Sequence, residues 1–318
     1  MNKSTKNEQM SKNEFLEKVA RLYYILELSQ QEISEQLNIG RSSVARFLNE
    51  AKERGIIHFQ IHSDWDRWRS PSLERTLLKR YKLKDCVVLR SENQSGNSFE
   101  ALVSKYLNTV LPMEGSVGLG WGKTIHAIGT QIYLCDPRPK LKIVQLTGGS
   151  GAKEELMPTT SSVQLWAQSL QSKSCLLPAP AIARNAESRN SFLEDYSIKE
   201  VAEQIKKVSV GIVSIGHTGE DSTILSAKLA PDLTSEMLSA RSVGDVIFHF
   251  FNEKGEFSYP SLSERVVGCT TEQFRNIPIR IGIAYGMNKV RAISGALKGN
   301  IFHVLITNDE TARMLIGK

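Results

Sequence analysis

Five short stretches of this chain carry residue types able to hold a small polar ligand, four of them where an apolar run gives way to glycine. In Gly118-Leu-Gly-Trp-Gly-Lys-Thr124, alternate glycines let the backbone approach a ligand. The amides and dipole of a following helix would favour an anion, most simply phosphate. Gly120, Trp121, Gly122, Lys123 and Thr124 are the candidate contacts. The Gly-Lys-Thr triplet is not a nucleotide P-loop, because that motif needs a glycine where Val117 stands. In Thr147-Gly-Gly-Ser-Gly151, the amides of Gly148 and Gly149 are placed for a small anion nest. Ser214-Ile-Gly-His217 ends a third run. In Ala284-Tyr-Gly-Met-Asn-Lys289, Lys289 falls in the first turn of a helix, where a cation opposes the dipole unless an anion accompanies it. Asp245 follows Gly244 and supplies a carboxylate that can accept from hydroxyls. The plain alternatives are tight helix–sheet packing for the Gly118–Thr124 stretch, a solvated surface lysine for Lys289 and a simple turn residue for Asp245.

A different chemistry belongs to Ser29–Arg54. Ser29 with Glu32 forms a Ser-x-x-Glu capping box that starts a helix. The helix should stop near Asn38, a residue that tolerates left-handed dihedrals, with Gly40 permitting the sharp turn that follows. A second helix from about Arg41 has Val44, Phe47, Leu48 and Ala51 inside and Arg41, Ser42, Ser43 and Arg46 outside. Two short helices with a polar, cationic start to the second read as a DNA-binding helix-turn-helix. An ordinary helical hairpin shares the hydrophobic pattern, so the outer face carries the DNA reading. Arg41, Ser42, Ser43 and Arg46 are expected in the major groove, and Gln31 on phosphate.

Other chemistries find little support. The four cysteines form no C-x-x-C pair, and the six histidines adopt no metal-ligand spacing. No G-x-S-x-G elbow is present, and no catalytic residue, metal or cofactor is expected. No apolar run is long enough for a membrane span, so a cytoplasmic protein is expected. The net charge is +6 and the pI about 9.0, which favours an acidic partner. Residues 1–62 carry 9 Lys/Arg against 8 Asp/Glu, whereas residues 63–90 carry 8 against 4. DNA affinity should therefore depend on where a few cations point.

The elements that must position these groups follow from periodicity. Residues 1–12 are expected to be a polar tail, and 13–62 a helix-turn-helix domain. That domain opens on a helix over Asn13–Leu28 (Leu16, Val19, Ala20, Tyr23 and Leu26 inside) and closes on a strand over Ile56–Ile61. His58 and His62 beside it are read as surface histidines. Residues 63–72 read as a linker, with Trp65 and Trp68 outside the core. From 73 to 318, short β-branched runs alternate with helical stretches, which predicts an α/β domain with a mostly parallel sheet. Strands are expected at Cys86–Leu89, Ser116–Leu119, Ile143–Leu146, Val208–Ile215, Ile279–Ala284 and Phe302–Ile306, with Val246–Phe251 as one more.

These segments together resemble the SorC family of sugar-binding transcriptional regulators, from about Phe15 to Ile316. The likeness rests on LYYILELSQQEISEQLNIGRSSVARFLNEAKERGII, GLGWGKT, TGGSG, GDVIFHFFNEKGE and IGIAYGMNKVRAISGALKGNIFHVLITNDETARMLI, in that order. The resemblance implies an effector domain similar to phosphosugar isomerases and deaminases, a sugar or sugar-phosphate effector, and a homodimer or homotetramer; paired recognition helices would then read a palindromic operator. It also implies that Gly118–Thr124 is a phosphate loop with Lys123 in place of a serine, and that Gly148 and Gly149 form a second glycine loop. Asp245 would then lie near the sugar and Lys289 would meet the phosphate. Ser161 stands where many members have asparagine, His249 where many have arginine, and Asn252 in place of an acidic residue. A phosphosugar isomerase or deaminase fused to a helix-turn-helix is the rival reading, and a nucleotide-responsive regulator a weaker third.

Overall fold

A computed structural model describes residues 11–57, 67–91, 96–227 and 241–317. The chain divides into two compact units, Met1–Ser63 and Asp64–Lys318. In the first, α1 spans Lys12–Tyr24, α2 Gln30–Leu37 and α3 Arg41–Glu53. Capping boxes start the first two: Ser11 with Glu14, and Ser29 with Glu32. Val19, Leu22, Ile33, Val44 and Leu48 form the small core. Lys12 and Arg54 both pair with Glu50, at 3.1 and 2.7 Å, which ties α1 to α3.

Three expectations fail in this unit. The first helix ends at Tyr24 rather than Leu28, because Glu27 turns into the left-handed region (φ 54°) and leaves Leu26 61% exposed. Asn38 ends α2 in the left-handed region (φ 51°), as expected, but the turn does not need Gly40, whose extended backbone (φ −66°) any residue can adopt. Gly55 caps the end of α3 with φ 70°. Ile56 and Ile57 are not in a strand; the remainder of the expected Ile56–Ile61 strand lies outside the described residues, as do His58, His62 and Trp65.

The second unit opens earlier than the linker reading allows. Trp68 is 7% exposed and packs in a core cluster with Val87 and Leu89, while Lys105 lies over its ring. Arg69 bridges to Leu89 and pairs with Glu74 at 2.7 Å. Helix α4 spans Pro71–Tyr81, with proline at the first turn, where no amide is needed. Then come β1 Asp85–Leu89, α5 Phe99–Val110, β2 Glu114–Leu119, α6 Lys123–Gly129, β3 Lys140–Gln145, α7 Thr160–Ser169 and β4 Lys173–Cys175. Next are α8 Ala186–Glu194, α9 Tyr196–Ile205, β5 Val210–Ser214, β6 Gly216–His217, α10 Thr223–Ala227, β7 Gly244–Val246 and β8 His249–Phe251. The chain continues through α11 Pro260–Ser263, α12 Thr271–Asn276, β9 Ile279–Ile283, α13 Val290–Lys298, β10 Val304–Asn308 and α14 Asp309–Ile316.

Seven strands form one parallel sheet in the order β1-β10-β9-β5-β2-β3-β4. Alternate residues of a strand face opposite sides, so Val87 and Leu89 join the core beneath α5, α6 and α7, while Cys86 and Val88 join that beneath α4, α13 and α14. The architecture is therefore three-layered. From β2 the chain moves to β3 and one edge; from β5 it moves to β9 and the other. The point between β2 and β5 where the connections diverge is where open α/β sheets leave a crevice.

The expected strand Val246–Phe251 is instead a hairpin. Gly244–Val246 and His249–Phe251 pair antiparallel around Ile247 and Phe248, whose φ values are 47° and 67°. Both residues are buried in a conformation that costs a β-branched or aromatic side chain strain. Phe248 stacks on Trp121 at 4.8 Å, and its N–H donates to Asp245 Oδ2 at 3.3 Å.

Candidate functional site

The crevice at the β2–β5 junction is a cleft of ≈ 140 Å³. Trp121, Gly122, Lys123 and Thr124 line it from the end of β2, and Ser214, Gly216 and His217 from the end of β5. Thr223, Asp245 and Lys289 complete its polar wall. Six of the ten residues expected to bind an effector thus come together. Gly120 lies just below, its amide donating to Ile212 O at 2.9 Å; an added Cβ there would meet Val213. Gly122 has φ 123°, which other residues rarely adopt, and its amide is taken by Pro158 O. The first turn of α6, whose Lys123 and Thr124 line the cleft, has no side-chain cap, so no side chain takes up its free amides.

The charged groups of this cleft are unusual. Asp245 is buried, and its Oδ1 has no hydrogen-bond partner. Burial pushes its carboxyl up to about 7, against the opposing pull of the Phe248 amide and the Lys289 charge. Gly216 is required beside it, since a Cβ there would run into Asp245 Oδ1. Lys289 closes a short 3-10 turn (Met287–Lys289) ahead of α13. It is half-buried, and burial lowers its pKa while Asp245 raises it. Among the described residues its ammonium has no ion-pair partner. An unpaired cation and an unpaired carboxylate oxygen on one cleft are costly unless a ligand satisfies both.

Sequence reasoning missed Thr223, and it left Ser214, His217 and Asn288 out of the binding set although their stretches were singled out. Ser214 donates to Trp121 O at 2.8 Å and orients the glycine loop. His217 is buried, and Asn288 reaches it from the loop that carries Lys289. The Ser-Ile-Gly-His pattern at a strand end was the available signal.

Gly148, Gly149 and Ser161 lie elsewhere. Gly149 lines a separate cleft of ≈ 670 Å³ with Ser150 and Glu154. The expected anion nest is not there, because its amides are already used: Gly148 N–H donates to Val267 O and Gly149 N–H to Ala179 O. An added Cβ at Gly148 would collide with the Pro180 carbonyl, so this glycine serves packing. Ser161 donates to Glu154 through N–H and hydroxyl, both at 2.9 Å. Burial pushes the Glu154 carboxyl up, but hydrogen bonds from Ser161, Thr159 and Ser150 outweigh it and hold it low.

The two departures after Asp245 are also structural. His249 is buried between Ser263 Oγ and Cys269 O, and burial lowers it to about 4. Asn252 accepts from Lys254 and Glu256 amides and shapes a turn.

On the first unit, Arg41, Ser42 and Arg46 are exposed and Ser43 half-buried on α3. The Arg46 guanidinium lies over the Phe47 ring. Gln31 is exposed, but its amide donates to Glu35 at 2.8 Å. Among the described residues, no group of three or more His, Cys, Asp or Glu is placed to hold a metal, and no helix is long and apolar enough to cross a membrane.

The Sugar-bind family, a sugar-binding domain, matches residues 68–317. The deoxyribonucleoside regulator of Bacillus subtilis is 28% identical over 305 residues, 93% of this chain and 95% of its own. The full-length sorbitol operon regulator SorC of Klebsiella pneumoniae has a crystal structure that superposes with a TM-score of 0.70 at 25% identity, covering 95% of this chain and 98% of that one. The sugar-binding domain of a Vibrio fischeri transcriptional repressor gives 0.69 at 27% identity, over 78% and 98% of the respective chains.

Proposed function

The chain belongs to the SorC family of sugar-binding transcriptional regulators, and from that premise we propose that the β2–β5 cleft binds a sugar phosphate whose occupancy sets operator affinity. Regulation of transcription under control of an effector follows from the family. The observation that supports a phosphorylated sugar is the pairing of unsatisfied groups: Lys289 beside the uncapped start of α6, and Asp245 Oδ1 opposite. An anion suits the first set and a sugar hydroxyl the second. The binding residues are Trp121, Gly122, Lys123, Thr124, Asp245 and Lys289, with Gly120 as the floor. Gly148, Gly149 and Ser161 shape the neighbouring loop.

In the reader unit, Arg41, Ser42, Ser43 and Arg46 face the major groove, and Gln31 reaches phosphate once it releases Glu35. A homodimer or homotetramer presents paired reader units to a palindromic operator. A ligand shifts such an equilibrium only by binding its states unequally. The protein acts as a sensor and not as an enzyme, in keeping with relatives named as regulators.

A thermal-shift panel of glycerol 3-phosphate, D-ribose 5-phosphate, D-fructose 6-phosphate, their free sugars and inorganic phosphate tests this reading. At least one sugar phosphate should stabilise the protein more than its free sugar, without turnover, and K289A should remove the difference. Indifference to every sugar phosphate refutes the reading; conversion of one to product returns the enzyme.

A further inference from the structure

The His217 corner of the cleft holds more donor hydrogens than acceptors. The Gly219 N–H donates to His217 Nδ1 at 3.2 Å. Nε2 of the same ring lies 3.3 Å from Asn288 Nδ2. The orientation of the Asn288 amide is fixed independently, because Nδ2 also donates to Asp221 Oδ2 at 3.0 Å; turning it over would set oxygen against carboxylate. Both ring nitrogens therefore face N–H groups, yet a neutral imidazole carries a proton on one of them. The backbone amide holds its place, so Nδ1 is the acceptor and Nε2 bears the proton. Nε2–H then points at a second donor, not at an acceptor. Asp221 Oδ1 stands 3.8 Å from Nδ1, beyond hydrogen-bonding range, and offers no relief. A protonated ring would only increase the excess. Burial, with the nearby Lys289 charge, favours the neutral form and outweighs the opposing pull of the Asp221 carboxylate.

A buried donor without an acceptor costs free energy that a correctly placed ligand atom recovers. Resting on the assignment of this cleft to a sugar phosphate, we propose that His217 is its specificity-determining residue: His217 Nε2–H and the Asn288 amide together donate to one acceptor oxygen of the sugar. Asp221 and Asn288 are positioning residues that aim this pair. Lys289 follows Asn288 in sequence, so one loop carries the charge that meets phosphate and the amide that meets sugar.

The test uses the full-length protein. In ¹⁵N–¹H spectra of the free protein, the imidazole signal absent from H217Q should show the Nε2–H tautomer; an Nδ1–H tautomer overturns the proposal. D-ribose 5-phosphate, D-fructose 6-phosphate, glycerol 3-phosphate and inorganic phosphate are then titrated into wild type, H217F and H217Q. For whichever sugar phosphate binds wild type, H217F should weaken binding about three- to tenfold, as expected for one neutral hydrogen bond. H217Q, which keeps a donor, should recover most of the loss, and inorganic phosphate should bind all three alike. Wild-type binding with an indifferent H217F, or equal losses for sugar phosphate and inorganic phosphate, overturns this role for His217 alone. A wild type that ignores every sugar phosphate overturns the reading of the cleft and this role with it.

Discussion

Asp245 pairs a buried carboxyl, raised to about 7, with a proposed role in binding. Its value in the unfolded chain is about 3.9. Between these values the folded protein holds a proton that the unfolded chain has released. The resulting stabilisation is complete below about pH 4 and is lost as pH rises through 7. His249, lowered to about 4, has the opposite sign: its contribution is lost as pH falls below about 6.5. The two offset each other in wild type, so a difference measurement is needed. D245N keeps the size and can still accept from the Phe248 amide. Its gain over wild type in urea denaturation should be near zero at pH 4, rise as pH climbs towards 7, and level off above it on the order of 4 kcal/mol. It should also lose the response to sugar phosphate. On the reader unit, R46A should weaken specific operator binding by about 1–3 kcal/mol in an anisotropy titration. Asp245 and Lys289 were legible as single residues because a carboxylate after glycine and a lysine opening a helix are locally odd. His217 was visible but mute, since its significance lies in donors from Gly219 and Asn288 that only the fold brings near.

At the scale of elements, legibility followed local signal strength. The Ser29–Glu32 box marked the start of α2, and the apolar runs of β1, β2, β5 and β9 marked the sheet. Short or polar elements such as β4 (Lys-Ser-Cys) and α8, with no buried residue, carry no period to read. Val246–Phe251 looked like one strand because an unbroken apolar run conceals a turn. The turn at Ile247–Phe248 depends on contacts with Asp245 and Trp121 that arise only in three dimensions. Trp68 was misread for a similar reason, its core partners lying about twenty residues further along. Two substitutions separate the turn residues of the reader: N38A should cost about 1 kcal/mol because alanine dislikes left-handed backbone. G40A should fall within about 0.5 kcal/mol in thermal melts, since its Cβ would sit 3.7 Å from Ser43 Oγ in ordinary contact.

For the whole molecule, the near-neutral first unit limits what one copy can contribute on DNA. Operator affinity should depend on two reader units acting together and fall with salt by a slope set by few phosphate contacts. Moving two half-sites apart by five base pairs puts them on opposite faces of the duplex and should reduce binding at least tenfold in a gel-shift titration. Retained affinity would mean that one unit suffices.

The two functions are written into the chain in different ways. The reader is one uninterrupted segment within the first 63 residues. The cleft draws on residues 121–124, 214–217, 245 and 289, scattered over more than half of the chain. Operator preference can therefore pass between relatives in a single crossover near that boundary, carrying its own core along. Effector preference cannot be transplanted as a cassette; it must drift in place, one substitution at a time, under the constraint that Gly216 and Asp245 change together. Diversification within such a lineage should leave reader swaps as clean breakpoints and effector changes as scattered point differences around an unchanged sheet.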